Sequence, residues 1–93
     1  MIRCIKFRRF EKNTLRGFAD LELTKSGLVI RDCTLHEKND KQWVGFPARQ
    51  YTDKDGNTQW SPCVEFNEGS REARELFQHH AIAAIHDFVG EPV

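Results

Sequence analysis

Residues 41–60 read KQWVGFPARQYTDKDGNTQW, and the organisation of the chain depends on this stretch. Two aromatic segments flank the polar turn 54–57, a pattern typical of a β-hairpin, and Gly56 can adopt the positive φ that such a turn requires. Pro47 interrupts the first segment. Because proline cannot donate a hydrogen bond to a neighbouring strand, it belongs at an edge, a bulge or a strand end. We therefore expect Pro47 to break the fourth strand of a sheet.

The break at Pro47 has two interpretations. It re-aims the chain so that Arg49 lies on the exposed side of a bend, which suits a binding surface. Alternatively, it protects an edge strand from unwanted pairing. The sequence leaves both open.

Outside this hairpin, alternating apolar and polar residues predict strands over 2–10, 15–24 and 28–37, followed by 43–52 and 58–66. On the third strand, the alternation places four side chains on one face: Val29, Arg31, Cys33 and Leu35.

From Ser70 the apolar spacing becomes helical. Ser70 is the expected N-cap, and Gly90 and Pro92 are expected to stop the helix. The apolar stripe comprises Ala73, Leu76, Phe77, Ala81, Ala84, Ile85 and Phe88. The order of elements predicts a single α+β domain over residues 1–93, with a twisted antiparallel sheet of about five strands followed by one C-terminal amphipathic α-helix. We expect most of the aromatic rings to lie in the core under this helix.

Charge is balanced overall but unevenly distributed. The chain of 93 residues has a formal net charge of zero, whereas residues 1–16 contain six basic residues and one acid, a net of +5. This asymmetry permits a local basic patch, and it also fits a charged strand that guards a sheet edge. The N-terminal segment carries charges among its apolar residues, and no apolar run approaches the length of a membrane span. We therefore expect a cytoplasmic protein without a membrane partner.

Residues for catalysis or metal binding do not form a recognised pattern. Cys4, Cys33 and Cys63 are scattered singly, and none of the four histidines stands at a ligand spacing from another ligand residue. Nucleophile motifs and glycine-rich phosphate loops are also missing from the sequence. We expect no enzyme activity, no metal, no cofactor and no small-molecule substrate.

Several segments together are similar to the SpoVG family of bacterial septation regulators. They are the opening strand at 5–9, Val29-Ile30 with Asp32, the loop at 39–40, the segment WVGFPAR at 43–49, and the Asp55-Gly56 turn. The resemblance covers about residues 2–89, and WVGFPAR is its most specific part. Two departures, Ala48 in place of the usual serine and Ser61-Pro62-Cys63 in place of a His-Pro-Ile-like element, suggest a divergent or phage-borne relative.

The resemblance implies a homodimeric regulatory protein that binds DNA or RNA through a basic sheet surface. The candidate nucleic-acid-binding residues are Lys6, Arg8, Arg9, Arg31, Arg49 and Lys54. The alternative is a protein–protein interaction module without nucleic-acid affinity, which the zero net charge and the acidic helix favour.

Overall fold

The computed structural model describes residues 1–67 and 69–90. Within these residues, six strands and one helix follow one another. They are β1 (Ile2–Lys12), β2 (Leu15–Leu23), β3 (Leu28–Lys38), β4 (Lys41–Gly45), β5 (Ala48–Thr52), β6 (Thr58–Pro62) and α1 (Arg71–Val89). The α+β class and the single C-terminal helix are confirmed. No helix in these described ranges has the length and apolarity needed to cross a membrane.

The strands are divided between two antiparallel sheets. Strands β1 to β4 form a four-stranded sheet in sequence order, and β5 and β6 form a separate two-stranded sheet. The predicted fourth strand, 43–52, is thus split into β4 and β5, and the split falls at Phe46 and Pro47, as the position of the proline predicts. The predicted fifth strand, 58–66, ends earlier, at Pro62. Pro47 therefore separates two sheets, whereas the sequence predicts a break within a single sheet.

The β5–β6 hairpin, here called the arm (residues 48–62), is exposed on both faces at nearly every position. Its turn is closed by the Asp53 carboxylate, which accepts hydrogen bonds from the backbone N–H groups of Asp55 and Asn57 at 3.0 and 2.9 Å. These bonds lower the pKa of Asp53, the bond from Asn57 most of all. Gly56 has the expected positive φ of 80°.

The core lies between the four-stranded sheet and α1, which contacts the two outer strands, β1 and β4. Phe77, Ala81 and Ile85 recur every four residues and form the buried stripe of the helix. The sheet contributes the buried side chains of Cys4, Ala19, Leu21, Cys33, Leu35 and Val44. Fewer aromatic rings lie in this core than the sequence predicts. Those that pack in or against it are Phe7, Phe46, Phe66 and Phe77. The exposed rings are Phe10, Trp43, Tyr51, Trp60 and Phe88.

The helix ends differ in how they are capped. Gly90 adopts a left-handed conformation, and its N–H donates to the carbonyl of His86 at 2.9 Å, so the predicted stop is confirmed there. The predicted second stop, Pro92, lies outside the described residues. Ser70 occupies the N-cap position, but its side chain forms no capping hydrogen bond; its carbonyl instead accepts from the N–H of Arg74 at 2.9 Å.

A bulge in β3 corrects one prediction about side-chain direction. Leu21 pairs with Ile30 and Ala19 with Cys33, so β3 has one more residue than β2 between these two pairs. Asp32, inside the bulge, has a positive φ of 59°. Because a bulge reverses the alternation beyond it, Val29 and Arg31 do not share the face of Cys33 and Leu35.

Candidate nucleic-acid interface

The four-stranded sheet has one face that α1 does not cover, here called the open face. The strand registers and the period-two alternation place on it Arg3, Lys6, Arg8, Phe10, Phe18, Asp20, Glu22, Val29, Thr34, His36, Lys38, Lys41 and Trp43. Arg31 joins them because its side chain bonds to Asp20. Two of the exposed rings lie here, since Phe10 is 50% exposed and Trp43 38%. Basic and aromatic side chains therefore share one accessible surface.

Two cations stand side by side on β1. Lys6 and Arg8 point to the open face, opposite Asp20 and Phe18 of β2. Within the described ranges neither residue forms an ion pair. The guanidinium carbon of Arg8 lies 4.9 Å from the centre of the Phe18 ring, a cation–π distance. Together with Asp20 and Asp32, these three side chains line a shallow pocket of about 70 Å³.

Asp20 holds the β3 bulge in place. It is 7% exposed, and its Oδ1 accepts the backbone N–H of Asp32 at 3.0 Å while its Oδ2 accepts from Arg31 Nη1 at 2.9 Å. A buried carboxylate needs such charged and hydrogen-bonded partners. The charge of Arg31 is therefore engaged by Asp20, and much less of it is offered to an external anion.

Arg3 is engaged in the same way. Its guanidinium forms an ion pair with Glu22 on the neighbouring strand, with Nη2 at 2.6 Å from Oε1. This pair lies beyond Asp20 along β2, toward the Leu23 end of the strand. Lys6 and Arg8 are engaged by neither of these two carboxylates, so their charge stays available on the β1–β2 side of the open face.

On the β3–β4 side of the face, His36 supports Trp43. The two rings are stacked, with centroids 5.4 Å apart and planes 9° from parallel. Both imidazole nitrogens have hydroxyl partners, since Nδ1 lies 3.0 Å from Thr14 Oγ1 and Nε2 2.9 Å from Thr34 Oγ1. Burial lowers the pKa of His36. The imidazole is thus a neutral, fixed support for the exposed indole near neutral pH.

The remaining predicted site residues lie elsewhere. Arg9 follows Arg8 directly on β1 and so points toward the opposite face, opposite Gly17. Arg49 and Lys54 belong to the arm, which is a different sheet. Of the six predicted residues, the structure brings Lys6, Arg8 and Arg31 together and leaves the other three apart.

No family model matches the chain, and no curated protein or solved structure matches it. The similarity to the SpoVG family thus stays a prediction made from the motifs at 5–9, 29–32 and 43–56.

The cysteines and histidines show no metal-binding arrangement in residues 1–67 and 69–90, where no three ligand-type side chains cluster. Cys4 and Cys33 are buried and Cys63 is exposed. Burial raises the pKa of Cys33 to about 12, with a contribution from the nearby Asp20 carboxylate. Burial also raises the pKa of Cys4.

Three residues of the site escaped the sequence reasoning. By sequence alone, Asp20 and Phe18 are ordinary residues of an alternating strand, and His36 is a histidine with no other ligand residue at a suitable spacing. The available signal was the alternation of β2, which places Phe18 and Asp20 on the face of Lys6 and Arg8 once strands 1 and 2 are paired as a hairpin. The hydroxyl partners of His36 are 22 and 2 residues away in sequence, and the farther one has no such signal.

Proposed function

We propose that this chain is a dimeric nucleic-acid-binding protein with a regulatory role, and that the open face contacts DNA or RNA. The observation that carries the proposal is the position of Lys6 and Arg8, which project side by side beside the Phe18 ring and form no ion pair with the residues that the structure describes. Lysine and arginine bind phosphates, and exposed aromatic rings stack on bases. The resemblance to the SpoVG family supports the same function.

The zero net charge of the chain is compatible with this function because the charge on the open face is local. Asp20 and Glu22 are occupied by Arg31 and Arg3, so their repulsion of a phosphate is reduced. In a dimer, two copies of the Lys6–Arg8 pair would act on one ligand and raise its effective concentration at the second site.

The dimer part of the proposal is supported by the arm. A two-stranded sheet exposed on both faces is marginally stable by itself in water. Trp60 is 66% exposed and Tyr51 46%, on opposite faces of this hairpin. A second copy packed on one face of the arm would bury the ring on that face, and closed twofold assembly is the commonest outcome for such self-association.

Binding is tested by fluorescence anisotropy with labelled DNA and RNA across a salt series. Replacing both Lys6 and Arg8 by alanine should weaken binding to all sequences alike, because phosphate contacts do not read bases. The slope of log affinity against log salt should become shallower by about 1.4–1.8, from roughly 0.7–0.9 per lost phosphate contact.

The matched control replaces Arg71 and Arg74 by alanine, which removes the same charge from the helix. Arg71 already pairs with Glu75 at 3.2 Å, so this control should bind close to wild type. If the wild-type protein binds neither DNA nor RNA at low salt, the protein-interaction alternative replaces this proposal. If the helix variant loses binding and the Lys6/Arg8 variant keeps it, the open face is the wrong surface.

The dimer is tested separately by light scattering at micromolar concentration, which should give twice the 10.9 kDa chain mass. Trp60→Ser should shift the protein toward the monomer. A wild-type monomer at these concentrations contradicts the dimer without bearing on the open face.

A further inference from the structure

We propose that the nucleic acid bound by the open face is single-stranded, with bases stacked on its aromatic rings and phosphates held by Lys6 and Arg8. This inference rests on the proposed function and adds the class of ligand. It follows from where the rings are held and how far apart they lie.

The rings of the open face are held in place by neighbouring side chains, both on strands β1 and β2 and on strands β3 and β4. On the β1–β2 side, Phe10 packs on Phe18, with centroids 6.1 Å apart, and Arg8 lies over Phe18. On the β3–β4 side, Trp43 is stacked on His36. A ring that is already held loses little rotamer entropy when a base stacks on it, so these positions are preorganised for stacking.

The spacing of the rings matches a short segment of single strand. Of the two exposed rings, Phe10 lies on β1 and Trp43 on β4, three strands away, which corresponds to about 14 Å across the sheet at the usual strand separation of ~4.8 Å. Four-stranded sheets with exposed rings accept two or three splayed bases over such a span. Lys6 and Arg8 flank the Phe18 position on β1, where the backbone of that segment would pass.

A duplex suits this surface less well. In a duplex the bases are stacked on one another, so rings on a sheet face cannot reach them, and only phosphates remain to be contacted. Arg3 and Arg31 are engaged with Glu22 and Asp20, so these two cations contribute less to holding a duplex by charge. Stacking contributes roughly 5- to 150-fold in affinity per base in single-strand complexes and is available only to an unpaired strand.

The experiment compares three probes of equal length on the full chain: a 12-nucleotide oligo-dT, a 12-nucleotide oligo-U, and a mixed-sequence 12-base-pair duplex. Single strands should bind at least tenfold more tightly than the duplex at the same salt concentration. Oligo-dT and oligo-U together show whether deoxyribose or ribose is preferred. Binding should also quench tryptophan emission in the wild-type protein, and this quenching should vanish in Trp43→Phe, which retains only Trp60.

Three variants distinguish a loss of base stacking from a loss of folding as the cause of weaker binding. Trp43→Ala should weaken single-strand binding roughly 5- to 150-fold, whereas Trp43→Phe should restore most of it because a ring is present again. Phe88→Ala removes an exposed ring from the helix and should leave binding unchanged. If Trp43→Ala does not fold, the quenching in wild type and its loss in Trp43→Phe still decide the question.

Equal or tighter binding of the duplex, or unchanged tryptophan emission on binding of single strands, overturns this inference. If the duplex binds at least as tightly as the single strands and the Lys6/Arg8 double variant abolishes this binding, the proposed function stands and the single-strand ligand is rejected. A wild-type protein that binds none of the three probes rejects both.

Discussion

The side-chain amide of Gln78 is hydrogen-bonded to both backbone groups of Val44. Gln78 Oε1 accepts the Val44 N–H at 2.7 Å, and Nε2 donates to the Val44 carbonyl at 2.8 Å. Val44 lies on β4, an outer strand of the four-stranded sheet, and Gln78 lies on α1. The amide thus takes the place that a peptide group of a fifth strand would occupy, and the helix covers the sheet edge at this point.

Gln78→Ala should lower the free energy of unfolding by about 1–3 kcal/mol, because it leaves a buried N–H and carbonyl without their partners. Gln78→Glu keeps an acceptor for the N–H but loses the donor, so its effect should be smaller at low pH, where the carboxyl can donate. Urea unfolding measures both. Gln50→Ala, on the exposed arm, is the control and should stay within ~0.5 kcal/mol of wild type. If Gln78→Ala and the control are equally stable, water replaces the Gln78 amide as the partner of the Val44 N–H and carbonyl.

Asp20→Ala should destabilise the fold by about 1–3 kcal/mol, because the Asp32 N–H and the Arg31 guanidinium both lose their acceptor. Asp20→Asn should cost less, since the amide oxygen can still accept the Asp32 N–H. The control is Glu22→Gln on the same strand, which breaks the more exposed pair with Arg3 and should cost ~0–1 kcal/mol. If Asp20→Ala and Glu22→Gln unfold at the same urea concentration, Asp20 does not hold the bulge.

The bulge also marks where sequence reasoning about the fold stops. The period-two alternation locates β1, β2 and β3 to within two residues, because each strand buries one face on the same core. The alternation is misleading for Val29 and Arg31, since the bulge at Asp32 depends on a carboxylate twelve residues earlier. A long-range contact of this kind leaves no local periodicity.

The position of Pro47 predicts the break in the ladder, but the separation of the arm into its own sheet has a different origin. Phe46 turns into the cluster formed by Phe66 and Phe77, with ring centroids at 5.5 and 4.9 Å, and this contact pulls the chain away from β4.

At the candidate site, the period-two rule alone separates Arg8 from Arg9, so the opposite orientation of Arg9 was predictable. The partners of Arg31 and His36 were not, because they come from other strands.

Only one of the three thiols should react quickly in the folded protein. Cys63 is exposed, whereas Cys4 and Cys33 are buried, and burial raises the pKa of both buried thiols, that of Cys33 to about 12. Since the thiolate is the reactive form, the buried pair should label only as the protein unfolds. Mass spectrometry after brief alkylation should find a single adduct, and Cys63→Ser should find none. Two or three adducts formed at one rate would contradict the packing of β1 and β3.

Stability should fall in mild acid because of His36. Burial holds its folded-state pKa below the ordinary value of 6.5, so between these two pKa values the unfolded chain binds a proton that the folded chain does not. The contribution of His36 is therefore complete above about pH 6.5 and is lost as the pH falls through the folded pKa. Urea unfolding at a series of pH values should show this loss in wild type. In His36→Gln the loss should be smaller, and in the control His79→Gln, at an exposed helix position, it should persist. Identical pH profiles for the wild type and His36→Gln would contradict the buried support beneath Trp43.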